Sequence, residues 1–323
     1  MKKVARIAAI ELHVPSHILT NEALNAEFPE WSVERVYDKT GISKRHIAAE
    51  GETASDLAFE AARKLFDRHE VRPDQIDYII LCTQSPDYFL PTTACLLQNR
   101  LGIPVSAGAV DINQGCSGYI YGLGLAKGLI ETEQATNVLL LTAETYSKYL
   151  GRNDKSVRTL FGDAAAATLV TLGEKSEGRH FHSFVYGTDG AGAENLIVPT
   201  GGSRQIGPSC LSMNGPEVLA FTLKRVPELV DAVLAKAGMQ KSDVDFFVPH
   251  QANKFMVESL ARKLGFPHEK LIQEYQDFGN TVSSTLPIAL KMASESGKLA
   301  GNQRLLLAGF GVGYSWGGCI VDW

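Results

Sequence analysis

Asp111-Ile112-Asn113-Gln114-Gly115-Cys116-Ser117-Gly118-Tyr119 sets one cysteine at a tight turn between two different patterns. Before it, residues 107–112 are short and apolar, the pattern of a buried strand. After it, Tyr119, Leu123, Ala126 and Ile130 recur at helical spacing on a segment rich in small residues. Strand, turn and helix together read as one α/β unit. Cys116 then stands at a helix start, where free backbone N–H groups and the helix dipole favour thiolate over thiol. That setting makes a nucleophile; the plainer use is a small buried cysteine filling a gap.

The same unit occurs twice. Residues 60–83 read as amphipathic helix, turn and the apolar run Asp77-Tyr78-Ile79-Ile80-Leu81-Cys82. Residues 231–251 repeat this, ending Asp245-Phe246-Phe247-Val248-Pro249-His250. A helix follows in each, closing on Asn99-Arg100-Leu101-Gly102-Ile103-Pro104 and on Arg262-Lys263-Leu264-Gly265-Phe266-Pro267. Next come matching turns, Gly115-Cys116-Ser117 and Gly279-Asn280-Thr281, a small-residue helix, and Leu139-Leu140-Leu141 against Leu305-Leu306-Leu307. Each half closes near a glycine tag, Phe161-Gly162-Asp163 or Gly309-Phe310-Gly311. The repeat and the alternation of helices with short strands give two α/β halves with mixed sheets, 1–172 and 173–323. In the alignment Cys116 faces Asn280 and Cys82 faces His250, and a pseudo-dyad would bring the two helix-start turns together. Residues 173–214 have no counterpart in the repeat; rich in loop signals, they are expected to join the halves and cover the site.

With 323 residues, 45% of them hydrophobic, the chain has material for one large core or two packed halves. A net charge of −5 argues against a nucleic-acid binder. Met1-Lys2-Lys3-Val4-Ala5 enters a strand-like run without a signal-peptide core, and no apolar stretch nears transmembrane length, so a cytoplasmic protein off the membrane is expected. Cys82, Cys95, Cys116, Cys210 and Cys319 are odd in number and scattered, which fits neither a disulfide framework nor zinc spacing. No metal is expected.

His250, in Val248-Pro249-His250-Gln251-Ala252-Asn253, closes a strand just before a helix. Alone, such a histidine is ordinarily structural, and Asn280 beside Gly279 is ordinarily a turn or cap residue. With Cys116 they place a thiol, an imidazole and an amide at matching points of the repeat. These segments, with Thr40-Gly41-Ile42, Arg45-His46-Ile47-Ala48, Pro91-Thr92-Thr93-Ala94-Cys95, Phe161-Gly162-Asp163 and Gly309-Phe310-Gly311-Val312-Gly313, cover essentially the whole chain. In that order they resemble the β-ketoacyl-acyl carrier protein synthase III family of the thiolase superfamily. The resemblance implies a thiolase-like five-layered αβαβα fold from two duplicated halves, a homodimer, and the triad Cys116, His250 and Asn280.

It also implies a reaction. Cys116 takes an acyl group from a thioester, splitting one condensation into two easier steps. A malonyl thioester then loses carbon dioxide, and His250 and Asn280 donate hydrogen bonds to the enolate oxygen. The backbone N–H groups of Cys116 and Val312 hold the later oxyanion. Acyl-coenzyme A and malonyl-acyl carrier protein are the implied substrates, with no prosthetic group. An amide is no base at neutral pH, so Asn280 beside His250 favours decarboxylation over proton abstraction. Gly309-Phe310-Gly311-Val312-Gly313 lacks the third glycine and the βαβ unit of a dinucleotide fingerprint.

Several positions depart from the family pattern. Trp31, expected to stack on adenine, sits in a lengthened segment; Lys39 stands where an arginine is expected, and Phe255 where a basic residue lies beside pantetheine. Gly215 and Asn253 complete the implied substrate-binding set. Lys254, Arg262 and Lys263 read either as an ordinary solvated face or as a basic stripe for an acidic carrier protein. Leu90 replaces a bulky phenylalanine that limits relatives to short primers, so a primer longer than acetyl is expected. Two rival readings remain: an acyltransferase that passes acyl-Cys116 to another acceptor without malonyl condensation, and a non-catalytic partner subunit.

Overall fold

A computed structural model describes residues 3–323; Met1 and Lys2, the start of the strand-like run, lie outside the described residues. The first half opens with β1 (Lys3–His13), β2 (His17–Thr20), α1 (Asn21–Glu27), α2 (Val33–Thr40), β3 (Lys44–Ile47) and α3 (Ala54–Arg68). It continues through β4 (Tyr78–Cys82), α4 (Thr93–Arg100), β5 (Gly108–Ile112), α5 (Gly118–Glu131), β6 (Asn137–Glu144), the one-turn α6 (Lys155–Arg158) and β7 (Ala164–Glu174). The second half holds β8 (His180–Thr188), β9 (Leu196–Ile197), β10 (Ser212–Met213), α7 (Gly215–Ala237) and β11 (Phe246–Pro249). It ends with α8 (Lys254–Leu264), α9 (Thr285–Glu295), β12 (Arg304–Gly311) and β13 (Ser315–Asp322).

The main sheet runs β11-β12-β13-β8-β1-β7-β6-β4-β5 and divides into two sets of like order. Outward from β1 come β7, β6, β4 and β5; outward from β8 come β13, β12 and β11, and beyond β11 Leu271 bridges Phe247 in parallel. In both sets the two inner pairings are antiparallel and the outer ones parallel. The sets meet at one register pair, Arg6 opposite His180. Helices α5 and α9 each pack against strands of both sets, α3 and α4 cover the first, and α7 covers the second with α8 packed beside it in the same core cluster. That stacking is the five-layered αβαβα architecture.

Each layer follows from its residues. Helix α3 carries a capping box, in which Asp56 Oδ2 accepts from Thr53 N at 2.9 Å, and buries Leu57, Ala58, Ala61, Ala62 and Leu65. Helix α5 is sandwiched between the two strand sets of the main sheet, so its glycines are sites of close approach: a Cβ at Gly122 would overlap Leu140, and one at Gly124 would overlap the Tyr186 hydroxyl. Strands β6 and β12, covered on both faces, are continuous apolar runs rather than alternating ones.

Three expectations need correction. Residues 173–214 are not all connector, because β8 lies within them and takes the place that β1 holds in the first set. Its His180, His182 and Ser183 interrupt the apolar pattern that marks the other strands. Strand β7 continues to Glu174, past residue 172. The tags Phe161-Gly162-Asp163 and Gly309-Phe310-Gly311 are not equivalent, since the first leads into β7 and the second closes β12.

Candidate active site

Cys116 lies in the turn from β5 into α5, where Gly118 N donates to Gly115 O at 2.8 Å and Ile120 N to Ser117 O at 3.1 Å. The end of β12 runs directly against this turn. A Cβ at Gly311 would stand 3.0 Å from Cys116 Cβ and 3.1 Å from its Sγ, and one at Gly309 would stand 2.9 Å from Cys116 O. Glycine at both positions is what lets β12 pass. The Ser117 and Ser315 hydroxyls, 2.7 Å apart, tie the turn to β13.

His250 follows β11, and its N–H donates to Ala308 O at 2.7 Å. Its Nδ1 is 2.7 Å from Thr285 Oγ1, which also lies 3.0 Å from Val282 O. Phe310 meets the imidazole edge-on with ring centres 5.6 Å apart. Burial pushes the His250 pKa down to about 3, so the ring is neutral at physiological pH. Asn280 is fixed through its backbone, with its N–H donating to Leu160 O at 2.8 Å and its carbonyl accepting from Gly162 N at 3.1 Å. Its side-chain Oδ1 accepts from Val282 N at 2.9 Å, helped by the left-handed backbone of Val282 at φ 55°. The amide oxygen is thus occupied and the NH₂ group is left as the free donor.

Cys116, His250 and Asn280 line one cavity of about 380 Å³, together with Phe310, Gly311 and the apolar Leu196, Val218, Leu219 and Met256. A few polar groups converge in an apolar chamber, the usual form of a small-molecule site. The resting cysteine is not the thiolate expected at a helix start: burial pushes its pKa up to about 12, and Glu144 adds to this. The resting pair is therefore a thiol beside a neutral imidazole. His250 is the one imidazole on this wall and no carboxylate lines it, so the donors suit a covalent acyl carrier rather than a metal.

Sequence reasoning missed two supporting residues. Thr285 holds the His250 ring. Glu144, fully buried at the end of β6, accepts from Gln84 N at 3.1 Å, Ser85 Oγ at 3.0 Å and Ser283 Oγ at 3.2 Å. It joins the exit of β4 to the Asn280 turn, and burial pushes its carboxyl up to about 8. Its one sequence signal is a charge closing an apolar strand.

The expected substrate-binding residues divide. Gly215, Asn253 and Phe255 line the cavity, and Asn253 also caps α8 by accepting from Met256 N at 2.9 Å. Val312, expected as a backbone oxyanion donor, has its place in the wall of a neighbouring cavity of about 770 Å³ with Gln84, Tyr146 and Tyr149, and Leu196 belongs to both. Leu90 is 83% exposed beside exposed Tyr88 and Phe89. Lys39 is exposed on α2 and lines neither cavity. Trp31 is only 4% exposed, stacked on Phe28 at 4.3 Å and packed with Leu24 and Val36, with Lys155 Nζ 5.7 Å from its ring centre. Arg262 and Lys263 are exposed at the C-terminal end of α8, and at 100° per residue Arg262 lies about 80° and Lys263 about 180° around the axis from Lys254.

Comparison with known proteins bears directly on this arrangement. Residues 234–323 match the family described as 3-oxoacyl-[acyl-carrier-protein (ACP)] synthase III C terminal, and residues 110–190 match 3-oxoacyl-[acyl-carrier-protein (ACP)] synthase III. A β-ketoacyl-[acyl-carrier-protein] synthase III 2 of Halalkalibacterium halodurans is 39% identical, over 99% of this chain and 96% of its own. The chain belongs to the β-ketoacyl-acyl carrier protein synthase III family. A solved 3-oxoacyl-(acyl-carrier-protein) synthase III, 53% identical, superposes with a TM-score of 0.96 over 99% of this chain and all of its own. A 3-oxoacyl-(acyl-carrier protein) synthase from Burkholderia xenovorans, 37% identical, gives 0.92 over 99% and 95%. As a synthase III, the protein is an acyltransferase that condenses an acyl thioester with a malonyl thioester and releases carbon dioxide. Among the described residues no helix is long and apolar enough to cross a membrane.

Proposed function

We propose that the acyl group is carried on Cys116 and that His250 and Asn280 hold the malonyl-derived enolate. One observation carries this reading: the thiol, the imidazole and an amide with its oxygen already occupied face one apolar cavity. In the first step Cys116 Sγ attacks the acyl-coenzyme A carbonyl as its proton passes to His250 Nε2. The bond to coenzyme A breaks, and the departing thiolate takes that proton. In the second step the malonyl carboxylate leaves as carbon dioxide, and its bonding electrons become an enolate held by His250 Nε2–H and Asn280 Nδ2–H. The enolate carbon attacks acyl-Cys116, the oxyanion sits on the N–H groups of Cys116 and Val312, and the Cys116 thiolate departs and takes a proton from solvent.

His250 accepts a proton in one step and donates a hydrogen bond in the other. Thr285 Oγ1 has one proton and two acceptors within reach, His250 Nδ1 and Val282 O. Donating to Val282 leaves Nδ1 protonated and Nε2 bare; turning to Nδ1 leaves Nε2 protonated. That freedom supports both roles.

Malonyl-acyl carrier protein is the proposed extender, and the protein works as a cytoplasmic homodimer. Exposed Tyr88, Phe89 and Leu90 form an apolar tip suited to burial against a second copy. With Leu90 rather than phenylalanine there, the acyl chamber takes a primer longer than acetyl. Carbon dioxide release from malonyl-acyl carrier protein or malonyl-coenzyme A, primed with acyl-coenzyme A from acetyl to dodecanoyl, tests both points. Faster turnover with the carrier protein and with longer primers is expected, and Leu90→Phe should shorten the preferred chain. Acyl transfer without malonyl carbon in the product would contradict the reading.

A further inference from the structure

At the end of the sheet remote from Cys116, β8 and β13 bring together three residues that the condensation does not use. His180 and His182 are two apart on β8 and so share a face, and β13 pairs with β8 so that Asp322 stands opposite His180. The Nε2 atoms of His180 and His182 lie 3.4 Å and 2.8 Å from the same carboxylate oxygen, Asp322 Oδ2. One ligand atom from each residue fits within a 4.8 Å span. The other carboxylate oxygen is engaged, since Arg304 Nε donates to Oδ1 at 3.0 Å.

The second observation is His180 itself. It is only 7% exposed, and neither of its ring nitrogens has a hydrogen-bond partner among the described residues. A buried imidazole with both nitrogens unpaired normally incurs a desolvation cost that proteins avoid. Here Nε2 lies 3.4 Å from a carboxylate oxygen already shared with a second imidazole. A cavity of about 470 Å³, lined by His180 and Asp322, opens beside the group.

We propose that His180, His182 and Asp322 form a site for a divalent transition metal of the zinc class. Two imidazole nitrogens and one carboxylate oxygen are a ligand set that Zn²⁺ accepts, and water from the cavity would fill the fourth tetrahedral position. Arg304 fixes the carboxylate so that Oδ2 faces the histidines, the orienting role that outer partners play around metal ligands. Contraction around the ion draws three atoms, already within 4.8 Å, toward one centre and gives His180 its missing partner. The site is structural by position. Asp322 is seven residues along β13 from Ser315, which touches the Cys116 turn, a separation of about 23 Å. It also sits where β8 meets β1 at the single pair Arg6–His180, so an ion there would clip the last strand onto the seam between the two halves.

The test uses the tag-free full-length protein, stripped with a chelator and dialysed, with Zn²⁺ as the probe and Mg²⁺ as control. Isothermal titration should give one Zn²⁺ per chain, and the melting temperature should rise with zinc concentration but not with magnesium. His182→Gln and Asp322→Asn should each weaken binding by about tenfold or more while leaving condensation unchanged. Because Cys95 and Cys210 are exposed thiols, Co²⁺ is substituted in parallel. The proposal expects visible d–d bands without a thiolate-to-cobalt charge-transfer band. Zinc bound equally well by both variants, a thiolate band lost on alkylation, or no binding below millimolar zinc would overturn it. His180→Gln provides a further check through its melting curve, since a folded variant that keeps full zinc affinity contradicts the site.

Discussion

The two strand-to-helix turns at Cys116 and Asn280 occupy like places in the two halves, yet they are built for different work. The Cys116 turn leads straight into α5 and is closed in by glycines of β12, which leave room beside its buried Sγ. The Asn280 turn is gripped by the backbone at 160 and 162, and its amide oxygen is consumed locally so that only a donor remains. The next pair of like places differs in the same sense. Cys82, at the end of β4, gives its thiol to Gln114 O at 3.1 Å and packs under α5, whereas His250, just after β11, faces the cavity. On the proposed reading, a duplicated framework has kept its geometry and divided its chemistry: one half supplies the nucleophile, the other the hydrogen bonds.

The sharpest way to break this division is to remove one half's contribution and ask whether the other continues. Cys116→Ala should lower condensation by about a thousandfold or more. Slow carbon dioxide release from the malonyl thioester should persist, because the second half retains both donors; loss of both activities in a folded variant would mean the division is wrong. A smaller effect is expected at the contact between the halves. Gly311→Ala places a Cβ 3.0 Å from Cys116 Cβ and 3.1 Å from its Sγ, so kcat/KM should fall by about tenfold and overpacking should cost about 1–3 kcal/mol of stability.

The smallest effect concerns the support of His250. Thr285→Val leaves a buried ring nitrogen without its partner and should cost about 1–3 kcal/mol in denaturant melts. The acid limb of stability carries a related signature. The unfolded chain takes up a proton at His250 near the ordinary value of 6.5, whereas the folded chain resists until about 3. The unfolded state thus binds more protons in that window, and stability falls as pH drops from about 6.5 toward 3. His250→Gln should flatten that part of the curve; an unchanged slope would show that the ring is not held neutral.

How much of this was legible in the chain depended on whether a residue's meaning was local. Cys116 and Asn280 stand at matching turns of the repeat, His250 matches Cys82 at a strand end, and the family resemblance joined the three. The two mixed α/β halves followed from the alternation of helices with short strands, and the five layers from the family resemblance. Strand β8 was obscured because His180, His182 and Ser183 break its apolar pattern, and Asp322, which explains two of them, comes 140 residues later. Trp31 was assigned to adenine through the family resemblance, and its packing against Phe28, Leu24 and Val36 is not visible in the sequence. Glu144 and Thr285 act through buried partners from other strands and turns, which no spacing in the sequence announces.

The most direct measurement is the intact mass of wild type, Cys116→Ala and Asn280→Ala after exposure to acyl-coenzyme A. The account predicts the acyl adduct on wild type and on Asn280→Ala but not on Cys116→Ala, with condensation by Asn280→Ala lowered about 10²–10³-fold. An adduct on Cys116→Ala, or a folded Asn280→Ala that cannot be acylated, would contradict it.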